Sequence, residues 1–213
     1  MKVYFFSGLG ADRSVFRHIH LPAGFEPVFI DWIPPLENES LSSYSLRLSK
    51  KIDFTESFSL VGVSMGGMIA AEIANFAKPE HLVLISSIPV SNHLPPYYRY
   101  LARIKLHRIL PVSFFLKGAV VKRFFTSESK EDKRLIRNMI SKADVSFIRW
   151  GMEAIVNWQM ENIPVNIIHI HGSRDEILPR RFTRPTFVIP GAGHLMVLNR
   201  SAEINKLLSG IFN

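Results

Sequence analysis

Six short, largely apolar runs punctuate the chain: Val3–Phe6, Pro27–Ile30, Phe58–Val63, Leu82–Ile85, Asn166–Ile170 and Thr186–Ile189. Val3–Phe6 is continuous rather than alternating, as in a strand covered on both faces of a parallel sheet. Turn-forming residues follow the runs: Ser7–Gly8–Leu9–Gly10, Asp31 ahead of Pro34–Pro35, Ser64, Ser86–Ser87, Gly172–Ser173 and Pro190–Gly191. Between the first four runs the pattern turns helical. It predicts a short helix over Arg13–Ile19, one over Leu41–Ile52 capped by Ser40, and one over Met68–Phe76. Strands alternating with helices imply right-handed crossovers and a parallel sheet.

After Leu82–Ile85 the rhythm changes, and no strand pattern occurs from Ile88 to Ile163. Tyr97, Leu101 and Ile104 fall on one helical stripe ahead of Pro111, and Phe114, Gly118, Val121 and Phe125 on a second. Ser129 with Asp132 resembles a capping box for a third helix bearing Ile136, Ile140 and Ala143. Phe147, Gly151, Ile155 and Trp158 form a fourth stripe, and Ser201–Ile211 predicts a closing helix. Four helices in series between two strands predict an inserted helical lid over residues 88–163. The expected architecture is a single α/β domain over 1–213, with a mostly parallel sheet of about six strands and helices on both faces.

Phe58–Val63 runs into Gly62–Val63–Ser64–Met65–Gly66, and a helical run follows at once. This strand–turn–helix setting is the one a nucleophile elbow needs. A serine at the tip of so sharp a turn crowds the flanking strand and helix, and glycines at 62 and 66 remove the Cβ atoms that would clash. Alone the pentapeptide is weak, since Gly-x-Ser-x-Gly arises by chance in roughly one chain in fifteen of this length. Two further residues strengthen it. Asp175 follows the fifth strand and His194 the sixth, so Ser64, Asp175 and His194 stand at strand C-terminal ends, the ligand-binding edge of open α/β sheets.

In that order the three residues resemble the Ser…Asp…His series of the α/β-hydrolase superfamily, and the likeness runs nearly end to end. His171–Gly172–Ser173–Arg174–Asp175–Glu176–Ile177–Leu178–Pro179 is similar to the family's HGxxDxxxP acid loop, and Gly191–Ala192–Gly193–His194 to its histidine loop. Ser7–Gly8–Leu9–Gly10 resembles the H-G-x-G oxyanion loop. The resemblance implies a cofactor-independent serine hydrolase that cleaves a small carboxylic ester through an acyl-enzyme. Ser64 would be the nucleophile, His194 the general base and then acid, and Asp175 the group that holds the imidazole. The backbone N–H groups of Leu9 and Met65 would hold the oxyanion. Thioesterase, amidase, lyase and perhydrolase chemistry on the same triad stay open, as does a ligand-binding protein that keeps the fold. The chain departs from the family in three ways. Ser7 stands where the family usually has histidine, the family's first two strands are absent, and 14 residues between His171 and Thr186 leave room for a very short helix at most. Glu176 is a rival for the acid.

Composition narrows the picture. The chain holds 213 residues, 47% hydrophobic and 21% charged, with no cysteine. Disulfides and thiolate metal sites are excluded. Val3–Phe6 is too short for a signal peptide, and a cytoplasmic protein is expected. Of the net charge of +8, the segment Arg99–Arg149 carries 13 Lys+Arg against 4 Asp+Glu. That basic excess reads as a solvated helical face, as an approach for an anionic substrate, or as contact with an anionic membrane surface. No nucleic-acid motif accompanies it. Phe114, Phe124, Phe125 and Trp158 are candidates to line an apolar substrate pocket or to pack on the core. His169 and His171 share a strand face, but no third metal ligand clusters with them. His18, His20, His81, His93 and His107 read as surface or structural, Asp12 and Arg13 as the start of a helix, and Asp31 as ordering the Pro34–Pro35 loop.

Overall fold

The computed structural model describes residues 1–103, 129–164 and 166–213. Six parallel strands, β1 (Lys2–Phe6), β2 (Glu26–Ile30), β3 (Phe58–Val63), β4 (Leu82–Ile85), β5 (Ile167–Gly172) and β6 (Phe187–Ile189), form one sheet in the order β2-β1-β3-β4-β5-β6. Chain direction across the sheet reverses at β1. The crevice beyond β1 and β3 is therefore a topological switch point, where such sheets open at their C-terminal edge.

Successive strand residues supply two cores. Tyr4, Phe6, Leu60, Leu82 and Leu84 face α1 (Leu41–Leu48) and α2 (Met65–Ala77), while Val3, Phe5, Val61, Val63, Val83 and Ile85 face the chain's last helices. The inner strands β1, β3 and β4 are buried on both faces, whereas the edge strands β2 and β6 are partly exposed. Ser40 caps α1 by accepting from the Ser43 N–H at 3.1 Å. Between β4 and β5 stand α3 (Pro96–Arg103), α4 (Lys130–Lys142) and α5 (Val145–Val156). Ser129 caps α4 by accepting from the Asp132 N–H at 2.9 Å, as the capping-box pattern predicts. Ile104 and the stripe Phe114–Phe125 lie outside the described residues, as do Phe124 and His107. After β6 come α6 (Met196–Asn199) and α7 (Ser201–Ile211).

Two expectations are corrected and a third is met. Arg13–Ile19 is a single 3-10 turn, Arg13–Phe16, capped by Asp12. The helix after β3 starts at Met65, three residues early, because the turn at Ser64 feeds directly into it despite the weak helix formers Gly66 and Gly67. The β5–β6 crossover holds only a three-residue 3-10 turn, Arg180–Phe182, so the short spacing is met without a regular helix.

Glu39 anchors the face on which α1 and α5 meet. Its carboxylate, buried beside α1, accepts from Arg47 Nε at 2.8 Å, Arg47 Nη2 at 2.9 Å and the Leu36 N–H at 2.8 Å. Its carbonyl accepts from Trp150 Nε1 of α5 at 2.8 Å. The Arg47 hydrogen bond, opposed by burial and helped by the Leu36 N–H, holds the carboxyl below its ordinary value. A group of this kind stabilises the fold fully above the unfolded pKa of about 4.3, and the contribution is lost as pH falls through the lower folded value. Glu39→Gln should therefore cost about 1.5–3 kcal/mol at neutral pH, a charge-assisted contact of ordinary strength. Urea melts of both proteins should converge as the pH falls below about 4.

Candidate active site

The tight turn after β3 leaves Ser64 at φ 54°, ψ −122°, a region that costs a non-glycine residue about 1–3 kcal/mol. Its surroundings hold it there. Ser87 Oγ donates to the Ser64 carbonyl at 2.6 Å, and the Ser64 N–H donates to the Ile85 carbonyl at 3.1 Å. A Cβ on Gly62 would fall 2.5 Å from Gly67 Cα, and one on Gly66 would fall 2.6 Å from Phe6 C. Both glycines therefore sit where backbone segments touch.

Asp175 lies three residues past β5, and His194 lies between β6 and α6. Their loops are stitched together. The Ser173 N–H donates to the Ile189 carbonyl at 3.1 Å, the Arg174 N–H to the Ala192 carbonyl at 2.9 Å, and the Gly191 N–H to Ser173 Oγ at 2.8 Å. This stitching sets Asp175 against His194. Asp175 Oδ2 is 2.8 Å from His194 Nδ1, and His194 Nε2 is 3.0 Å from Ser64 Oγ. The other carboxylate oxygen, Oδ1, accepts from the Ile177 and Leu178 N–H groups, each at 2.9 Å. Burial pushes the Asp175 carboxyl up. The charge and hydrogen bond of His194, with His171 and the Leu178 N–H, outweigh that and leave it below its ordinary value. Ser64 is half-buried, whereas Asp175 and His194 are buried.

Glu176, the rival acid, is exposed. The loop after β1 passes beside the serine: a Cβ on Gly8 would lie 3.4 Å from Ser64 Cβ. Ser7, in place of the family's histidine, braces this loop by donating from Oγ to the Ala11 carbonyl at 2.9 Å, and Trp32 Nε1 donates to the same carbonyl at 3.1 Å. Gly151 of α5 brings that helix onto Leu9 and Met65, for a Cβ there would lie 3.2 Å from Met65 Sδ. Trp32, Tyr44, Phe147 and Trp150 pack together beside this contact, with Tyr44 and Trp150 ring centroids 4.4 Å apart.

Trp158, a candidate pocket residue, packs on the core instead and donates from Nε1 to Glu72 at 2.6 Å. Asp31 is exposed, and its carbonyl accepts from Lys51. In the basic segment, Lys130, Arg134, Arg137, Lys142 and Arg149 are exposed, while Arg99 donates to the Ser91 carbonyl at 2.7 Å. Sequence reasoning missed two partners of the acid loop. Tyr98 of α3 donates to the Ile177 carbonyl at 3.0 Å, and His93 is within 3.2 Å of Thr183 Oγ1. The helical stripe around Tyr97 hinted at the first, and nothing in the spacing at the second. Among the described residues, no cluster of three metal-ligating side chains occurs, and no helix is long and apolar enough to cross a membrane.

The model of the alpha/beta hydrolase family matches residues 3–207. No curated protein sequence matches the chain. Among solved structures, the chain is similar to a thermophilic esterase from Thermogutta terrifontis at 20% identity, with a TM-score of 0.70 over 98% of this chain and 88% of that one. It is similar to MenH from S. aureus at 18% identity, with a TM-score of 0.72 over 98% and 91%. An enol-lactonase from Burkholderia xenovorans is 16% identical, with a TM-score of 0.67 over 97% and 89%. At such identities these likenesses speak to the fold.

Proposed function

Since the chain belongs to the alpha/beta hydrolase family, we propose that it is a serine hydrolase that cleaves a small carboxylic ester through an acyl-enzyme. The line Ser64 Oγ, His194 Nε2 and Nδ1, Asp175 Oδ2, with contacts of 3.0 and 2.8 Å, carries this reading. Each atom has the neighbour its task requires.

The carboxylate of Asp175 fixes the proton on His194 Nδ1, which leaves the Nε2 lone pair aimed at Ser64. Ser64 Oγ attacks the ester carbonyl carbon as its proton passes to Nε2, and the carbonyl oxygen takes the charge. The N–H groups of Leu9 and Met65 receive that oxyanion. Met65 opens α2, whose free N–H groups and dipole favour negative charge there. Collapse of the intermediate breaks the bond to the alkoxy group, which leaves with the proton from Nε2. Water then attacks the acyl carbon as its proton passes to His194 Nε2, and collapse breaks the bond to Ser64 Oγ, which takes that proton back as the acid leaves. Residues 88–163 are read as the cap over this crevice, with α5 set against Leu9 and Met65.

Intact-mass analysis after exposure to a fluorophosphonate tests the reading. The wild type should take up one adduct, and Ser64→Ala none. A folded wild type that stays unlabelled would overturn the hydrolase reading in favour of a ligand-binding protein.

A further inference from the structure

Two buried imidazoles on β5, His169 and His171, have no part in the reaction just described. They are 2% and 0% exposed, and their Nε2 and Nδ1 atoms lie 3.0 Å apart. Their proton positions follow from their partners. His171 Nε2 is 2.7 Å from the Leu178 carbonyl and 3.5 Å from Asp175 Oδ2. Both are acceptors, so this nitrogen carries a proton. In a neutral ring Nδ1 then accepts, and His169 Nε2–H must donate to it. That leaves a lone pair on His169 Nδ1, with Thr183 Oγ1 as its donor at 3.5 Å. The same oxygen can accept from His93 Nδ1–H at 3.2 Å. The donors thus run one way, from His93 through Thr183, His169 and His171 to the Leu178 carbonyl, with Asp175 Oδ2 3.5 Å from the last nitrogen.

We propose that His169 is a positioning residue: by donating to His171 it locks that ring in the neutral Nε2–H form, so that the charge of Asp175 is kept for His194. A second proton on His171 would sit on Nδ1, facing the His169 N–H, and the contact would survive only if His169 moved its own proton to Nδ1, against the Thr183 donor. Without the lock, a cationic His171 would compete with His194 for the same oxygen of Asp175. The inference rests on Asp175 as the triad acid.

The surroundings agree. Burial, then His171 and His93, hold His169 down at about 3, against the Ser87 carbonyl and Asp175. Burial, with His194 and Arg180, lowers His171, against Asp175 and the Leu178 carbonyl. Burial and Arg184 lower His93.

Nitrogen-15 NMR of the imidazoles in the full-length wild type tests the lock directly, with His169→Gln and His171→Asn used for assignment. Both rings should show the Nε2–H tautomer and hold one proton from about pH 5 to 8, the range in which free imidazole titrates. An Nδ1–H tautomer at either ring, or a cationic His171 at neutral pH, would overturn the proposal. The second arm is the pH profile of kcat/KM on a p-nitrophenyl ester. His169→Leu removes the donor, so His171 protonates at higher pH and activity is lost earlier as pH falls. The acidic limb should rise by about half a unit, a loss of about threefold below it. His169→Gln, which can donate and accept, should restore the wild-type limb. Equal limbs for wild type and Leu, or a Gln variant no better than Leu, would mean a packing role alone and sink the proposal. Should His169→Leu fail to fold, the wild-type tautomers still decide. Should the wild type take no fluorophosphonate adduct, the hydrolase reading falls by itself, and the tautomers still test the lock.

Discussion

Asp175→Asn should lower kcat/KM by about four orders of magnitude, while Glu176→Gln leaves it within about threefold. The contrast follows from position. Asp175 Oδ2 is 2.8 Å from His194 Nδ1, and Oδ1 is saturated by two backbone N–H groups. An amide there keeps the shape of the carboxylate. Its NH2 cannot accept from His194, however, and placing the amide oxygen toward His194 instead turns the NH2 onto the Ile177 and Leu178 N–H donors. Either way a donor meets a donor. The imidazole then loses the tautomer that frees Nε2 for Ser64, and the imidazolium of the transition state loses its counter-charge. Glu176 is exposed and sits in the loop beside this arrangement, not in it. Steady-state kinetics on one activated ester, with circular dichroism to check the fold, decide between the two acids. Equal losses in both variants would mean that the acid is shared.

Gly66→Ala should cost at least about 3 kcal/mol, at or above the usual range for overpacking a core. The new methyl group would press on the carbonyl oxygens of Phe6 and Ser7 and lie 2.6 Å from Phe6 C. These are backbone atoms of β1 and the loop after it, pinned by pairing with β2 and β3. A flexible side chain could swing away from the methyl group, whereas a paired strand cannot. Denaturant midpoints measure the loss, and reactivity of any folded fraction toward a fluorophosphonate reports whether Ser64 still projects. An alanine variant with wild-type stability would show that the elbow relaxes easily. Gly210, where an added Cβ meets nothing within 4 Å, serves as the control site.

Much of this was legible in the residues. The six apolar runs became the six strands, most plainly at β1, β3 and β4, because a strand buried on both faces cannot hide its composition. The motifs around Ser64, Asp175 and His194 announced three loops at one sheet edge, and the inter-loop hydrogen bonds brought them together. What stayed illegible depends on partners far apart in sequence. His169 and His171 on one strand face could be read from their spacing, but their link through Thr183 to His93 could not. Nor could the pattern tell whether Trp158 lined a pocket or packed on α2. An apolar stripe shows which face of a helix is covered and leaves open by what. The four-residue helix α6 is too short to carry a period.

The strand order also shapes the molecule's birth on the ribosome. By Ile85 the chain has emitted β1 to β4, four neighbouring strands that can pair without help from anything downstream. Among the described residues, the next strand starts at Ile167. At roughly 5–20 residues per second, the outer edge of β4 waits roughly 4–16 s for its partner. During that interval a half-built sheet, apolar on both faces, is exposed to its neighbours on the polysome. Asp175 and His194, the groups that would make Ser64 reactive in the proposed mechanism, arrive only after that wait, so until then the serine would be carried through synthesis inert.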